Sequence, residues 1–182
     1  MGTRIFRHLV AVSGLLLLAG CGTSRTLSPQ DIFKETEIAR DQYRGLVYVN
    51  GVELGYSMPG ELQQRSIITT LNDKGEISAS WIDYDESLYG PHALFTTAHD
   101  STALPLTVEV FDRSHGDRDT YPAEHVGIDL PPGYLQAHLQ SGMDIQLEGR
   151  RGSQIITFGP DYMTGYWQKL QIAQACVRAR TC

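Results

Sequence analysis

The chain has 182 residues, with 15 Lys+Arg against 21 Asp+Glu and a formal charge of −6. A hydrophobic share of 41% is ordinary for a globular domain and argues against a disordered one. An acidic chain with no basic run argues against nucleic-acid binding and against adhesion to anionic lipid by surface charge.

The first residues form a leader. Arg4 and Arg7 make a basic start, and Leu9 to Leu18 is an apolar run too short to span a bilayer. Leu18-Ala19-Gly20-Cys21 closes the run with small residues before a cysteine. This stretch resembles the lipobox of bacterial lipoproteins. The resemblance implies cleavage of residues 1–20 and acylation, palmitate included, at Cys21. Several acyl chains would make the anchor permanent. Gly22 stands where an Asp commonly retains Gram-negative lipoproteins in the inner membrane. Its presence resembles the outer-membrane pattern, with the domain facing the periplasm. Loss of Arg4 and Arg7 takes Lys+Arg from 15 to 13 against 21 acids, so the mature chain carries a formal charge of −8. Of three cysteines, lipidation takes Cys21. Cys176 and Cys182 then remain as an even pair in an oxidising compartment, which predicts a disulfide. Residues six apart in a continuous helix are separated by about 9 Å, so the chain must reverse soon after Cys176.

Residues 21–27 read as lipidated cysteine and tether, and 28–182 as one globular domain. Six extended residues reach about 20 Å, which holds the domain close to its membrane. Ser28 as N-cap, Pro29 and Asp31 predict a helix, with Ile32, Thr36, Ala39 and Tyr43 on its apolar stripe.

From Gly45 to Phe158 the pattern changes to strands and turns. Asn50-Gly51 between Leu46–Val49 and Val52–Tyr56 predicts a tight hairpin. Ser66–Leu71 and Glu76–Ile82 flank a turn at Asn72-Asp73-Lys74-Gly75. Ile77, Ala79 and Trp81 alternate with Ser78, Ser80 and Ile82, which predicts a buried Trp81. Ala93–Ala98, Leu106–Phe111 and Glu124–Asp129 read as strands, with Leu106, Val108 and Val110 on one face. Pro131-Pro132-Gly133 opens a short helical turn, and Met143–Glu148 with Gln154–Phe158 makes a last hairpin. A final helix opens at Gly159-Pro160-Asp161, with a stripe of Met163, Tyr166, Trp167, Leu170, Ala173 and Val177. The expected fold is mainly β (α+β): an antiparallel sandwich or barrel-like domain with a helix at each end.

Chemistry-bearing residues do not assemble into a known motif. The spacings of His92, His99, His115, His125 and His138 fit no zinc site, so no metal and no cofactor is expected. The acidic turn Asp112–Asp119 lacks the EF-hand spacing and carries Arg113 and Arg118. Gly55–Gly60 is one residue out of register for a nucleophile elbow around Ser57. Trp81, Asp83, Tyr84 and Asp85 combine aromatics and acids suited to a sugar or peptide face, and form the candidate ligand or partner surface. The expectation is a non-enzymatic binding or accessory module of the cell envelope, held by its lipid and meeting an envelope protein. The rivals are a hydrolase or metal-dependent enzyme using His92, His99, Asp100 or the turn around His115, and a purely structural lipoprotein.

Overall fold

The computed structural model describes residues 27–58, 61–88, 93–114 and 123–182. The leader, Cys21, His92, His115, Asp117, Asp119 and the Pro59-Gly60 end of the Ser57 motif lie outside the described residues.

Two antiparallel sheets face each other in an open sandwich. The larger runs in the order β1 (Glu37–Asp41), β2 (Leu46–Asn50), β4 (Glu61–Leu71), β5 (Ile77–Leu88), β9 (Ala123–Asp129), β8 (Val108–Ser114), with β3 (Leu54–Met58) also on β4. The smaller runs β11 (Gly152–Phe158), β10 (Met143–Gly149), β6 (Phe95–Asp100), β7 (Pro105–Leu106). The β4–β5 hairpin is the spine. Asn72 Oδ1 accepts from the backbone N–H groups of Lys74 and Glu76, and Gly75 takes a φ of 74°, a conformation open to glycine at little cost.

Helix α1 (Pro29–Glu35) starts as its capping residues require. The Ser28 hydroxyl accepts from the Asp31 N–H, and the Asp31 carboxylate accepts from the Ser28 N–H. It then stops two turns earlier than the apolar stripe predicts. Thr36 is extended (φ −66°, ψ 129°), and the chain continues as edge strand β1 against β2. Ladder bonds to β2 replace the helical bonds, so Ala39 is exposed on a strand and Tyr43 lies fully exposed in a turn.

Asn50-Gly51 does not form a hairpin. Strands β2 and β3 lie end to end along one edge of β4, with Asn50 opposite Ile68 and Leu54 opposite Arg65. Neither Asn50 nor Gly51 has a positive φ. Gly51 is needed for a different reason: a Cβ there would overlap the Tyr162 hydroxyl.

The long helix α3 (Pro160–Ala179) opens where predicted and packs on the inner face of the larger sheet. Met163, Tyr166, Leu170 and Ala173 are buried, as is Tyr162, which the predicted stripe omits. The Tyr162 hydroxyl donates to the Val52 carbonyl at 2.8 Å. α1 lies across α3 at Gly165, where a Cβ would overlap the Pro29 carbonyl. Cys176 and Cys182 lie at disulfide distance, S–S 2.07 Å and Cα–Cα 5.3 Å. The helix runs on to Ala179, and Arg180 (φ 57°) turns the chain back.

Covering one face of the sheet by α3 and β10 decides which residues of β5 are buried. Ser80, Ile82, Tyr84 and Glu86 point inward and are buried. Ile77 and Ala79 are exposed, and Trp81 is half-buried on the outer face, contrary to the predicted alternation. A bulge contributes: Thr70 faces Ala79 but Leu71 faces Ile77, leaving Ser78 as an extra residue. Leu106 to Phe111 is likewise not one strand face. The chain switches sheets at Thr107, so Leu106 pairs with Ala98 in the smaller sheet and Val108 with Ile128 in the larger. Val110 sits on the larger sheet's edge strand and is 39% exposed.

Candidate functional site

The predicted surface splits by strand parity. Trp81, Asp83 and Asp85 share the outer face of the larger sheet; Tyr84 is buried on the other side and donates to Glu86 Oε2 at 2.7 Å. Tyr84 is therefore no part of that surface. On the outer face His125 Nε2 lies 2.8 Å from Asp83 Oδ1, and the Phe111 ring meets the His125 ring edge-on at 5.0 Å. Phe111 lies over Gly127, where any Cβ would strike it. Burial raises the Asp85 carboxyl above the usual range; His125 opposes this, and Asp83 and Asp112 add to it.

Inside the sandwich, Glu124 is fully buried and clamps three strands. Its carboxylate accepts from the N–H groups of Leu94 and Phe95 at 3.0 and 2.9 Å, and from Arg113 Nε at 2.7 Å. Arg113 also donates to the Phe95 carbonyl. Glu86 stands opposite Glu124 on the neighbouring strand and is buried beside it. These groups tie β8 and β9 to β6 and hold the two sheets together at this end.

The other predicted residues have local tasks. Asp100 Oδ1 accepts from the Thr102 N–H and hydroxyl and the Leu104 N–H, and Asp100 Oδ2 from the Tyr134 hydroxyl at 3.1 Å. His138 stacks on Tyr134 at 4.1 Å, with its Nδ1 2.9 Å from the Tyr134 carbonyl. Among the described residues no three His, Cys, Asp or Glu side chains are grouped to hold a metal.

One concavity among the described residues was not anticipated. It is a groove of about 390 Å³ where β9 leaves β5. The β5–β9 ladder ends at Trp81–Asp129, followed by one bond from the Leu130 N–H to the Ser80 carbonyl at 2.9 Å. Pro131-Pro132 then turns the chain away into α2 (Tyr134–Ala137), and Trp167 of α3 closes the far side. The walls are mostly apolar, with Ile77, Leu130, Leu135 and Trp167 among them. Ile77 is 40% exposed here because of the Ser78 bulge. The only sequence signals were the two prolines and the aromatic of α3, which no periodicity brings together.

Comparison with known proteins finds nothing similar: no family model, curated sequence or solved structure matches the chain.

Proposed function

We propose that the protein is a lipid-anchored envelope lipoprotein, attached through Cys21 and facing the periplasm, that acts as a non-enzymatic binding or accessory module. The groove between β5, Pro131-Pro132, α2 and Trp167 is its binding site, and it takes a small apolar ligand. The observation that carries this reading is the groove itself. Its volume of about 390 Å³ lies in the range of small-molecule sites, and its mostly apolar walls come from separate elements of the fold. The lipobox supports the location, and a tether of about 20 Å keeps the groove within reach of material leaving or entering the membrane.

Two measurements test the reading together. Wild-type chain takes up labelled palmitate and stays with membranes until detergent is added; Cys21→Ser does neither. Native mass spectrometry of the wild-type chain in mild detergent shows a copurified small molecule that Trp167→Ala loses. Membrane retention of Cys21→Ser without detergent refutes the anchor, and absence of any ligand that depends on Trp167 refutes the binding role.

A further inference from the structure

We propose that the outer face of the larger sheet docks an extended basic segment of a partner protein, because the arginines on its strands point inward while its acids point outward beside exposed aromatics. The centre of this face, Asp83 with Asp85, is not part of the groove wall, and the inference does not depend on what the groove holds.

Among the described residues, Arg40, Arg65 and Arg113 are the arginines on the strands of the larger sheet, and no lysine stands on them. Arg40 Nη1 donates to the Cys182 carbonyl beyond α3, and Arg65 Nε to the Thr157 carbonyl of the smaller sheet. Arg113 donates to Glu124 and to the Phe95 carbonyl. All three thus reach toward α3 or the smaller sheet. The strand pairings put Glu37, Asp83, Asp85, Glu109, Asp112 and Asp129 on the opposite side. Asp112, His125 and Asp85 stand in one row across β8, β9 and β5, and Asp83 lies two residues, about 7 Å, along β5 from Asp85. Charges so close lie within a screening length of about 8 Å and repel. Asp83 and Asp112 accordingly add to burial in raising the Asp85 carboxyl, against the pull of His125.

A surface without a binding task ordinarily mixes both signs. Here the outward strand positions carry one formal sign, with an apolar part in their midst. Trp81 is half-buried opposite Ile68, and Phe111, 45% exposed, lies over Gly127. Acids around aromatics suit a basic protein segment, whose cations meet the carboxylates while its apolar carbons cover the rings. Alternate side chains of an extended segment repeat at the Asp83–Asp85 spacing. Nucleic acid, anionic lipid and a second copy of this face all bring the wrong sign. A lone metal ion finds no group of three ligands among the described residues.

The test uses the full chain carrying Cys21→Ser and four probes: an octapeptide alternating Lys and Leu, the same with Ser for Leu, the same with Glu for Lys, and spermine. Affinity is read from NMR shifts of the Trp81 indole and the Gly127 amide, and unfolding midpoints confirm that each variant folds. The Lys-Leu peptide should bind tightest. Asp85→Asn combined with Glu109→Gln should weaken it at least about threefold, the scale of two exposed ion pairs, and added salt should weaken it too. Asp73→Asn with Asp144→Asn makes the same change of net charge in the β4–β5 turn and on the smaller sheet, and should leave its affinity unchanged. Equal losses for the two double variants would reduce the effect to net charge and overturn the inference. So would spermine, the Lys-Ser peptide or the Glu-Leu peptide binding as tightly as Lys-Leu. Shifts of Trp81 that follow protein concentration without peptide would mark a second copy as the occupant and also overturn it. A Lys-Leu peptide that shifts Leu135 and not Trp81 sits in the groove, which refutes this docking face and leaves the groove a binding site. No saturable shift with the Lys-Leu peptide refutes the docking face, while the copurified ligand that depends on Trp167 still decides the groove.

Discussion

The Tyr162 hydroxyl occupies the space that a Cβ on Gly51 would need. It stands where β2 and β3 are interrupted along the edge of β4, donating to the Val52 carbonyl and accepting from the Ile67 N–H at 3.4 Å. A helix residue thus meets backbone groups at a break in the strand edge.

Gly51→Ala should destabilise the domain by roughly 1–3 kcal/mol, because the new methyl has neither space nor a soft neighbour. Tyr162→Phe should cost about 1 kcal/mol for the lost hydrogen bond. The double variant should be less destabilised than the two losses together, since the hydroxyl that the methyl strikes is gone. Denaturant unfolding of all four chains gives the cycle; strict additivity would show that the two positions do not meet.

Glu124→Ala should be among the most damaging single changes, at about 3–5 kcal/mol, because it removes the shared buried acceptor of two backbone N–H groups and of the part-buried Arg113. Glu124→Gln keeps one carbonyl oxygen for those donors and should cost less. Equal losses for the two variants would argue against the carboxylate clamp.

Trp81 is half-buried on the outer face, so Trp81→Ala should cost less than about 2 kcal/mol, below the range for a core aromatic. Ile82→Ala, one residue on and fully buried, should cost about 2–5 kcal/mol. Comparison of the two denaturation midpoints reads out the strand's parity directly.

Two aspartates should move acid stability in opposite directions. Burial raises Asp100, but bonds from Thr102, Leu104 and Tyr134 outweigh it and hold the carboxyl below its usual value. Its contribution is present above the unfolded carboxyl value of about 4 and is lost as pH falls through the lower folded value. Asp85 is raised, so its charge opposes folding above the folded value, and that cost disappears as pH falls below about 4. Asp85→Asn should therefore stabilise the domain at neutral pH and lose that advantage in acid. Asp100→Asn should destabilise at neutral pH and flatten the acid limb. Unfolding curves between pH 3 and 7 check both.

Reduction of Cys176–Cys182 should cost about 2 kcal/mol or less, the entropy of so short a loop. Arg40 Nη1 donates to the Cys182 carbonyl at 3.0 Å, a contact that the freed terminus should lose. Intact mass with and without reductant shows the bond, and two thiol labels taken up before reduction would refute it.

Features written in a few neighbouring residues were legible without the fold. The capping box of Ser28 and Asp31, the Asn72–Gly75 turn and the start of α3 at Pro160 close their hydrogen bonds within a handful of residues. The 3.6-residue stripe of α3 repeats over a long helix and marks its buried face, apart from Tyr162. The candidate surface was legible only in part. Trp81, Asp83 and Asp85 do share a face, but Tyr84 does not, and His125 and Phe111 come from strands that no local pattern links to it.

What the sequence determined by itself was therefore most of the strands, the start of α1, the Asn72–Gly75 turn and the start of α3, because each rests on local bonds. The tertiary structure decided three further things. A two-residue period fits either face of a sheet equally well, so only α3 and the smaller sheet select Ser80, Ile82, Tyr84 and Glu86 as the inner face of β5. Asn50-Gly51 suits a hairpin locally, yet β4 offers both flanking segments a longer common edge and Tyr162 occupies the space beside Gly51. The groove arises from a bulge at Ser78, two prolines after Leu130 and Trp167, residues distant in sequence that meet only when the larger sheet, α2 and α3 have packed.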